Sequence, residues 1–320
     1  MREVLLHVQD LKIHYPVKAK NGLGTSVTYA KAVDGVSFDI YRGETFGLVG
    51  ESGCGKSTTG KAIVGLLSPT AGTIAFAGAD TKTYTRKDMA RRIQIIFQDP
   101  YSSLDPRMTV GRCIEEPLLV HGEGDKVQRR QKALQLLADV GLREDQYTRF
   151  PHEFSGGQRQ RIGVARAIAL QPELVVCDEP VSALDVSIQA QILNLMRDLQ
   201  QKYDLTYLFI SHNLSVVKYL CDRIAVMYLG HIVELADKDA LFDDARHPYT
   251  RALLQAIPIA DPDVPSMSGE LSGDVPSPLS PPAGCCFHTR CPKACDRCKQ
   301  EAPALREASP GHFVACHFCE

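Results

Sequence analysis

The stretch GESGCGKST, at residues 50–58, constrains the possible folds of this chain more than any other feature. It satisfies the pattern G-x4-G-K-[ST], it follows the apolar run TFGLVG, and a helix is predicted after it from Ser57 through Leu67. A strand, a glycine-rich turn and a helix in this order aim backbone N–H groups and a helix N-terminus at an anion. The sequence therefore predicts an α/β core with a phosphate-binding loop.

Each residue type in this loop suits a nucleoside triphosphate. The glycines let the backbone curl around the phosphates, Lys56 supplies a cation to the β- and γ-phosphates, and the Ser57 hydroxyl suits Mg²⁺. Cys54 would contribute only its backbone amide. A flexible glycine-rich turn is the alternative, and the flanking strand and helix argue against it. The predicted nucleotide contacts of the loop are Gly50, Glu51, Ser52, Gly53, Cys54, Gly55, Lys56, Ser57 and Thr58.

Composition excludes several classes of protein. The chain has 320 residues, 44% of them hydrophobic, which is enough for a globular core. A formal net charge of -2 and a pI of 6.6 give no general attraction to nucleic acid, which is not expected as a partner. No apolar run reaches the ~18–20 residues of a membrane helix, and the N-terminal stretch MREVLLHVQDLKIHYP is too polar for a signal peptide. We therefore expect a cytosolic chain.

Two later strands supply groups suited to phosphate chemistry. The apolar run LVVCDEP ends in Asp178, which suits the Mg²⁺ shell, and Glu179, which suits a water-orienting base. The apolar run TYLFISH ends in His212, a donor for the γ-phosphate, and a helix is predicted at 187–203 between the two runs. Two apolar strands joined by a helix form a βαβ unit, which is typical of a parallel sheet. Taken singly, acidic strand ends and surface histidines are common, so these assignments depend on the loop.

Three more motifs indicate a family. Gln98 lies in FQDP, the sequence FSGGQRQR spans residues 154–161, and SALD spans residues 182–185. Together with the phosphate loop, the Asp-Glu pair and His212, in this order, they resemble the nucleotide-binding subunits of ATP-binding-cassette (ABC) transporters.

The resemblance implies that two such subunits pack head to tail and enclose two ATP molecules, each between one phosphate loop and the partner's SGGQ sequence. Glu179 would polarise the attacking water, Lys56 and Mg²⁺ would stabilise the developing charge, and His212 would hold the phosphate. Gln98 would touch Mg²⁺ and the water. The residues implied to act in trans on the partner's ATP are Ser155, Gly156, Gly157, Gln158 and Asp185.

The same resemblance suggests two contacts with the nucleoside and shows two departures from the pattern. Tyr15 resembles the aromatic residue that stacks on adenine, with core packing as the alternative, and Val33 resembles the apolar residue near the ribose. Phe154 stands where Leu is common before SGGQ, and Asn213 follows the histidine where Asp is usual. Neither departure removes a group that the chemistry needs.

The expected fold is a P-loop NTPase core with a parallel sheet, an N-terminal antiparallel β subdomain, a helical insertion and a small C-terminal Cys-rich module. The predicted domains are an ATP-binding core at 1–98 and 171–257, a helical signature subdomain at 99–170, a Pro-rich linker at 258–283 and a Cys-rich metal-binding module at 284–320.

Longer motifs narrow the resemblance. FQDPYSSLDPRMTVG, EPVSALDVSIQAQILNLM, HPYTRALLQAIP and PSPLSPPAGC are similar to ATPase subunits of bacterial dipeptide and oligopeptide importers, and HYPVK is similar to the F-type member of the ATPase heterodimer. The implied partners are a second, paralogous ABC ATPase subunit, two integral membrane permease subunits and, indirectly, a periplasmic or extracellular substrate-binding protein. The implied location is the cytoplasmic face of the bacterial plasma membrane. Importers of nickel, glutathione or heme, and soluble ABC ATPases of DNA repair or translation, are the alternatives.

Seven of the 11 cysteines follow residue 284, which in a cytosolic chain indicates metal binding rather than disulfides. The spacing C-x2-C-x17-C-x2-C at Cys295, Cys298, Cys316 and Cys319 alone predicts a zinc ribbon. The family pattern, G-C-x-F-x-x-R-C followed by two more cysteines, implies a [4Fe–4S] cluster instead. Four thiolates suit either group. The cluster ligands implied by the family are Cys285, Cys291, Cys298 and Cys316.

Overall fold

The computed structural model describes residues 2–21, 24–101, 103–257 and 273–318. These residues form two compact units. Unit 1 consists of Met1–Glu3, Tyr41–Thr45 and Ala79–Phe209, and unit 2 consists of Val4–Ile40, Phe46–Gly78 and Ile210–Glu320. Residues 258–272 of the predicted linker and Cys319 of the predicted zinc ribbon lie outside the described residues. The boundaries of the four predicted domains stay predictions.

The elements are numbered in chain order. The strands are β1 (Val4–Asn21), β2 (Gly24–Tyr41), β3 (Thr45–Val49), β4 (Ala71–Phe76), β5 (Ala79–Asp80), β6 (Ile93–Ile96), β7 (Leu174–Asp178), β8 (Thr206–Ser211), β9 (Arg223–Tyr228), β10 (His231–Asp237), β11 (Arg306–Ser309) and β12 (His312–Val314). The α-helices are α1 (Lys56–Ile63), α2 (Arg86–Arg92), α3 (Val110–His121), α4 (Lys126–Asp139), α5 (Gly156–Ala167), α6 (Val186–Tyr203), α7 (Leu214–Leu220), α8 (Lys238–Asp243), α9 (Pro248–Gln255) and α10 (Asp296–Gln300).

The larger sheet of unit 2 runs in the order β11-β12-β10-β9-β3. β3 pairs in parallel with β9, with Val49 opposite Val226, and every residue of β3 is buried. A strand covered on both faces needs a continuous apolar run, which is the pattern that its sequence shows. Leu229 and Gly230, both with positive φ, form the tight turn that joins β9 to the antiparallel β10.

A second, antiparallel sheet of unit 2 places β1 between β2 and β4. Leu6 of β1 lies opposite Phe76 of β4, and the register shifts between Gln9 and Lys12. The side chains of Leu6, Val8 and Phe76 are buried, which anchors this sheet on the core of unit 2. The predicted N-terminal antiparallel sheet and the predicted parallel α/β sheet are both confirmed.

The helix predicted from Ser57 through Leu67 is shorter than expected. It is α1, which begins at Lys56 and ends at Ile63. Gly65 adopts a left-handed conformation with φ +76°, and its N–H donates to the Ala62 carbonyl oxygen at 3.0 Å. A glycine in this conformation ends a helix, so the apolar residues that follow it do not extend α1.

Unit 1 contains adjacent strands in the order β8-β7-β6. β6 and β7 are parallel, with Ile93 opposite Leu174. The helix predicted at 187–203 is α6, and the helix-rich stretch predicted after residue 99 contains α3, α4 and α5. Thr109, Asp125 and Ser155 start these three helices by accepting backbone N–H bonds of the first turn. In the described part of the chain, every helix falls short of the length and hydropathy that crossing a bilayer requires.

A buried carboxylate ties the C-terminal strands of unit 2 to its sheet. Glu234 of β10 is 0% exposed. Its Oε1 accepts the backbone N–H of Arg246 at 2.7 Å and His312 Nε2 of β12 at 2.7 Å, and its Oε2 accepts the N–H of His247 at 3.0 Å. Because strand β12 also pairs directly with β10, the Cys-rich end of the chain is built into the sheet that begins at β3.

Replacing Glu234 with alanine should lower the free energy of unfolding by about 3–5 kcal/mol, because three buried donors lose their acceptor together. Thermal and denaturant unfolding of the purified chain would measure this loss. Glu307→Ala is the matched control, since this exposed side chain accepts one N–H, from Gly311 at 2.8 Å, and its loss should cost less than about 1 kcal/mol. Equal losses in the two variants would contradict the anchoring role of Glu234.

Candidate nucleotide-binding site

The phosphate loop follows a backbone path that only glycine permits at two positions. Gly50 has φ +151° and Gly55 has φ +109°. A Cβ atom on Gly50 would lie 2.1 Å from the carbonyl oxygen of Met227, and one on Gly55 would lie 2.2 Å from the carbonyl oxygen of Ala32. The loop is therefore held between β9 and β2, and the glycines of the G-x4-G-K pattern are required by this close approach as well as by φ.

Lys56 occupies the first turn of α1, and its side chain folds back over the loop. Its Nζ donates to the Gly50 carbonyl oxygen at 2.8 Å and to the Glu51 carbonyl oxygen at 2.9 Å, and the residue is 4% exposed. The ammonium group is thus held at the centre of the loop, among the backbone groups expected to face a phosphate. Ser57 and Thr58, the two hydroxyl residues that follow, are partly exposed in the same turn.

The carboxylate of Glu51 is paired with an arginine from the Cys-rich segment. Arg290 Nη1 donates to Glu51 Oε2 at 2.8 Å, and Arg290 Nη2 donates to Glu51 Oε1 at 3.2 Å. This two-pronged pair raises the pKa of the Arg290 guanidinium. The backbone N–H of Glu51 donates to the hydroxyl of Tyr249 in α9 at 2.9 Å, so the second residue of the loop is held by both its side chain and its backbone.

A cluster of aromatic rings lies behind this ion pair. The ring centroids of Tyr228 and Tyr249 are 4.7 Å apart, and Phe287 lies 5.2 Å from Tyr228 and 5.4 Å from Tyr249. All three side chains are fully buried. Tilted and edge-on rings at these distances attract one another, so Phe287 fixes the Cys-rich segment on β9 and α9. Burial alone lowers the pKa of His247, 5.6 Å from Phe287, to about 3.

In unit 1, the structure brings together Gln98, Glu179 and Ser182. Gln98 Nε2 donates to Glu179 Oε2 at 3.2 Å and to Ser182 Oγ at 3.4 Å. Glu179 has φ +48°, the left-handed conformation, and it follows Asp178, which is 5% exposed at the end of β7. The left-handed conformation accompanies a Glu179 carboxylate that is paired with Gln98, a contact that the sequence did not predict.

The SGGQ sequence forms the start of α5. Ser155 Oγ accepts the Gln158 N–H at 3.4 Å, and Gln158 Oε1 accepts the Ser155 N–H at 3.1 Å, a reciprocal cap. A Cβ on Gly157 would lie 2.5 Å from the Ile188 side chain of α6. The helix N-terminus and the exposed Ser155 suit an anion. Asp185 begins α6 and is exposed. Whether these residues contact a partner's ATP stays a prediction.

The remaining predicted nucleotide contacts differ in exposure. Tyr15 on β1 is 40% exposed, whereas the side chain of Val33 is 0% exposed in the core of unit 2. His212 is exposed directly after β8. Asn213 Oδ1 accepts the N–H of Ser215 at 3.0 Å and begins α7, which explains why Asn can replace Asp here. Phe154, the other departure, is 4% exposed and packs in the core of unit 1, as Leu would.

The four cysteines implied as cluster ligands influence one another electrostatically. Burial raises the pKa of the Cys285 thiol to about 11, and the other three thiols act in the same direction. The pKa of Cys291 is raised by burial first and then by Cys316 and Cys298. Cys295 is partly exposed at the start of α10, with its Sγ 3.6 Å from that of Cys298.

The described residues contain no group of three or more Cys, His, Asp or Glu side chains arranged to hold a metal ion. Thiolates suit either metal group. However, the arrangement of the described residues supports neither the [4Fe–4S] ligand set nor the zinc alternative. Both stay predictions.

Comparison with known proteins places the chain in a family. A putative peptide import ATP-binding protein of Brucella ovis is 54% identical over 315 residues, which covers 98% of this chain and 97% of the relative. The dipeptide transport ATP-binding protein DppF of Escherichia coli is 50% identical over 319 residues, 99% of this chain and 95% of the relative. The chain belongs to the ABC transporter ATP-binding proteins.

Profiles and a solved structure agree with this assignment. The ABC transporter profile matches residues 33–182 of this ABC ATPase, and the profile of the oligopeptide/dipeptide transporter C-terminal region matches residues 233–298. An ATP-binding cassette solved as a dimer in a post-hydrolysis state, with ADP and Pi bound, is 27% identical with a TM-score of 0.63 and covers 73% of this chain and 99% of its own. The predictions of the ABC fold and of an ATP-hydrolysing protein are confirmed.

The sequence did not predict the contacts that the C-terminal segment makes with the phosphate loop of the ABC ATPase. Tyr249, Phe287 and Arg290 are central to them. The last two belong to the family pattern G-C-x-F-x-x-R-C, which predicts metal ligands but no contact with the phosphate loop. Their place between the cysteines is the only sequence feature that marks them. Spacing alone cannot reveal that Arg290 pairs with Glu51, which lies 239 positions earlier.

Gly55→Ala should weaken ATP binding by about tenfold or more, because the added Cβ meets the Ala32 carbonyl oxygen and forces the loop to move. Equilibrium titration with a fluorescent ATP analogue would measure the change. Gly65→Ala is the control: its φ is +76° but no atom lies within 4 Å of the new Cβ, so stability should fall by about 1 kcal/mol with ATP affinity retained. Unchanged ATP affinity in Gly55→Ala would contradict the steric argument.

Proposed function

We propose that this ABC ATPase is the ATP-hydrolysing subunit of a bacterial importer of dipeptides or oligopeptides and drives transport through separate permease subunits. The observation that carries the proposal is the similarity over nearly the whole chain to a peptide import and a dipeptide transport ATP-binding protein. It includes the C-terminal region at residues 233–298, which lies beyond the ABC profile match and has its own oligopeptide/dipeptide transporter profile.

The proposed mechanism assigns one task to each group. The N–H groups of the phosphate loop and Lys56 bind the β- and γ-phosphates. Glu179 accepts a proton from the attacking water, Gln98 orients the Glu179 carboxylate and the water, and His212 donates to the γ-phosphate. Mg²⁺ bound with ATP would stabilise the developing charge and would be held by Ser57, Gln98 and Asp178.

The proposed assembly follows from what the chain leaves exposed. Ser155 and Asp185 lie at exposed helix N-termini of unit 1, where they would meet the ATP bound by a second, paralogous ATPase subunit. Two permease subunits would hold the pair at the cytoplasmic face of the plasma membrane, and a periplasmic or extracellular binding protein would deliver the peptide. Tyr15 would stack on adenine and Val33 would line the ribose side.

Glu179→Gln should bind ATP with near wild-type affinity and lose about 10²–10⁴-fold in turnover, because the amide preserves the shape but cannot accept the proton. Phosphate release and ATP titration on the same preparation would separate the two effects. Glu144→Gln, an exposed glutamate of unit 1, is the matched control and should retain wild-type turnover. Wild-type hydrolysis in Glu179→Gln would remove the base assignment.

Transport itself is tested by co-purification and uptake. Isolated from membranes of its native host, the chain should co-purify with two integral membrane subunits and support ATP-dependent uptake of labelled di- and oligopeptides. Uptake of nickel, glutathione or heme instead of peptides would show that the proposed cargo is wrong and leave the transport role in place. Isolation with DNA or ribosomes instead of membrane subunits would overturn the transport proposal.

We further propose that Cys285, Cys291, Cys298 and Cys316 hold a [4Fe–4S] cluster, with zinc as the alternative. The choice over the set that uses Cys295 rests on the family pattern, because Gly284, Phe287 and Arg290 match it as well as the cysteines do. When bound, either group would supply covalent cross-links to a short segment, a structural role that metals commonly play where little core exists.

Anaerobic purification should give a brown protein with about four irons per chain. Cys291→Ser should abolish the colour and the iron, while Cys295→Ser should keep both. A colourless protein with one zinc that is lost in Cys295→Ser would instead support the zinc ribbon.

A further inference from the structure

We infer that Arg290 is a positioning residue of the ATP site: it neutralises the Glu51 carboxylate inside the phosphate loop and thereby makes nucleotide affinity depend on the docked Cys-rich segment. The inference rests on the proposed role of the loop at residues 50–58 as the ATP site. It assigns to the C-terminal segment a function toward the nucleotide that is separate from any metal that the cysteines hold.

The geometry of the pair is that of a strong interaction. Both guanidinium Nη atoms donate to the two carboxylate oxygens of Glu51, at 2.8 and 3.2 Å. The Arg290 side chain is 4% exposed and that of Glu51 is 27% exposed, so water screens the pair far less than a surface ion pair. A buried charge that loses its partner is strongly penalised, which makes each residue depend on the other.

The ion pair affects nucleotide binding because Glu51 lies within the phosphate loop. Glu51 directly follows Gly50, and its own carbonyl oxygen accepts the Lys56 Nζ at 2.9 Å. A negative side chain here stands beside the backbone N–H groups that would face the phosphates. Without a cation against it, the carboxylate would repel a polyphosphate and would compete with it for Lys56. Paired with Arg290, it adds no net charge at the mouth of the loop.

The segment that carries Arg290 is held against unit 2 at several points. Phe287, three residues earlier, packs on Tyr228 and Tyr249, and Tyr249 accepts the N–H of Glu51. Ahead of the cysteines, in the predicted linker, the carbonyl oxygen of Pro278 accepts the Lys31 N–H of β2 at 3.0 Å. Ala32, the next residue, provides the carbonyl oxygen that confines Gly55. The segment therefore supports both walls of the phosphate loop.

Local hydrogen bonds link Arg290 to the cysteine turns. The Arg290 N–H donates to the Phe287 carbonyl oxygen at 3.0 Å, and the His288 N–H donates to the Cys285 carbonyl oxygen at 3.0 Å. Residues 285–291 thus form consecutive turns that present Phe287 and Arg290 on the phosphate-loop side. Disorder in these turns would withdraw the guanidinium from Glu51, and ATP affinity would fall with it.

The test compares four variants of the full chain in equilibrium binding of fluorescent ATP, ADP and AMP analogues. Arg290→Met should weaken ATP binding by about tenfold, ADP binding less and AMP binding least, because repulsion grows with phosphate charge. The double variant Glu51→Gln/Arg290→Met should regain most of the ATP affinity, since no carboxylate is left unpaired. Arg290→Lys should lie between, because it keeps the charge but loses the second hydrogen bond.

Arg297→Met is the matched control, because Arg297 lies in the same segment and pairs with the exposed Glu301 at 2.8 Å; its ATP affinity should equal that of the wild type. Thermal unfolding of every variant separates loss of fold from loss of affinity, and the double variant tests the charge argument even if Arg290→Met folds poorly.

Equal loss of ATP, ADP and AMP affinity, or no recovery in the double variant, would overturn the inference and leave Arg290 as a docking contact alone. A wild-type chain that binds no ATP would overturn the site assignment itself, which is a different result.

Discussion

The close approach of the phosphate loop to its neighbours is the constraint on which the rest of unit 2 depends. At Gly50 and Gly55 the loop backbone runs so near the carbonyl oxygens of Met227 and Ala32 that a single methyl group does not fit. The β9–β10 turn adds a hydrogen bond, from Gly230 N–H to the Cys54 carbonyl oxygen at 2.9 Å. A loop confined in this way needs little reorganisation to receive an anion, and this is what makes its N–H groups effective.

In unit 1, the carboxylate that we propose as the base, that of Glu179, lies at the end of a buried strand without being buried itself. β7 is covered on both faces and ends in the buried Asp178. The left-handed conformation of Glu179 ends the strand there. Gln98 then donates to the Glu179 carboxylate, and the Ser182 hydroxyl donates to the Glu179 carbonyl oxygen. The left-handed backbone at this one residue thus places the proposed base at the end of the buried strand.

The sequence predicted those parts of the fold that depend on residues close together in the chain. The buried runs at β3, β7 and β8, the helix after residue 186 and the phosphate loop each follow from periodicity or from a contiguous motif. The end of α1 was missed because one glycine outweighs the apolar residues beyond it. The contacts of Glu234 and Arg290 could not be predicted, since each residue acts on residues that are distant in sequence. For the same reason, the shift in composition after residue 257 predicts a Cys-rich module but not the pairing of β12 with β10.

The attachment of β11 and β12 to β10 also means that the contacts around the phosphate loop form after the loop itself has been synthesised. A ribosome makes the phosphate loop before it makes Phe287, Arg290 and the anchoring His312, which all follow it in the sequence. Until these residues are made, Glu234 lacks one of its donors and Glu51 lacks its counter-charge. A chain that lacks Arg290 would keep the whole G-x4-G-K motif but leave the Glu51 carboxylate unpaired, so by the inference above it would bind ATP weakly.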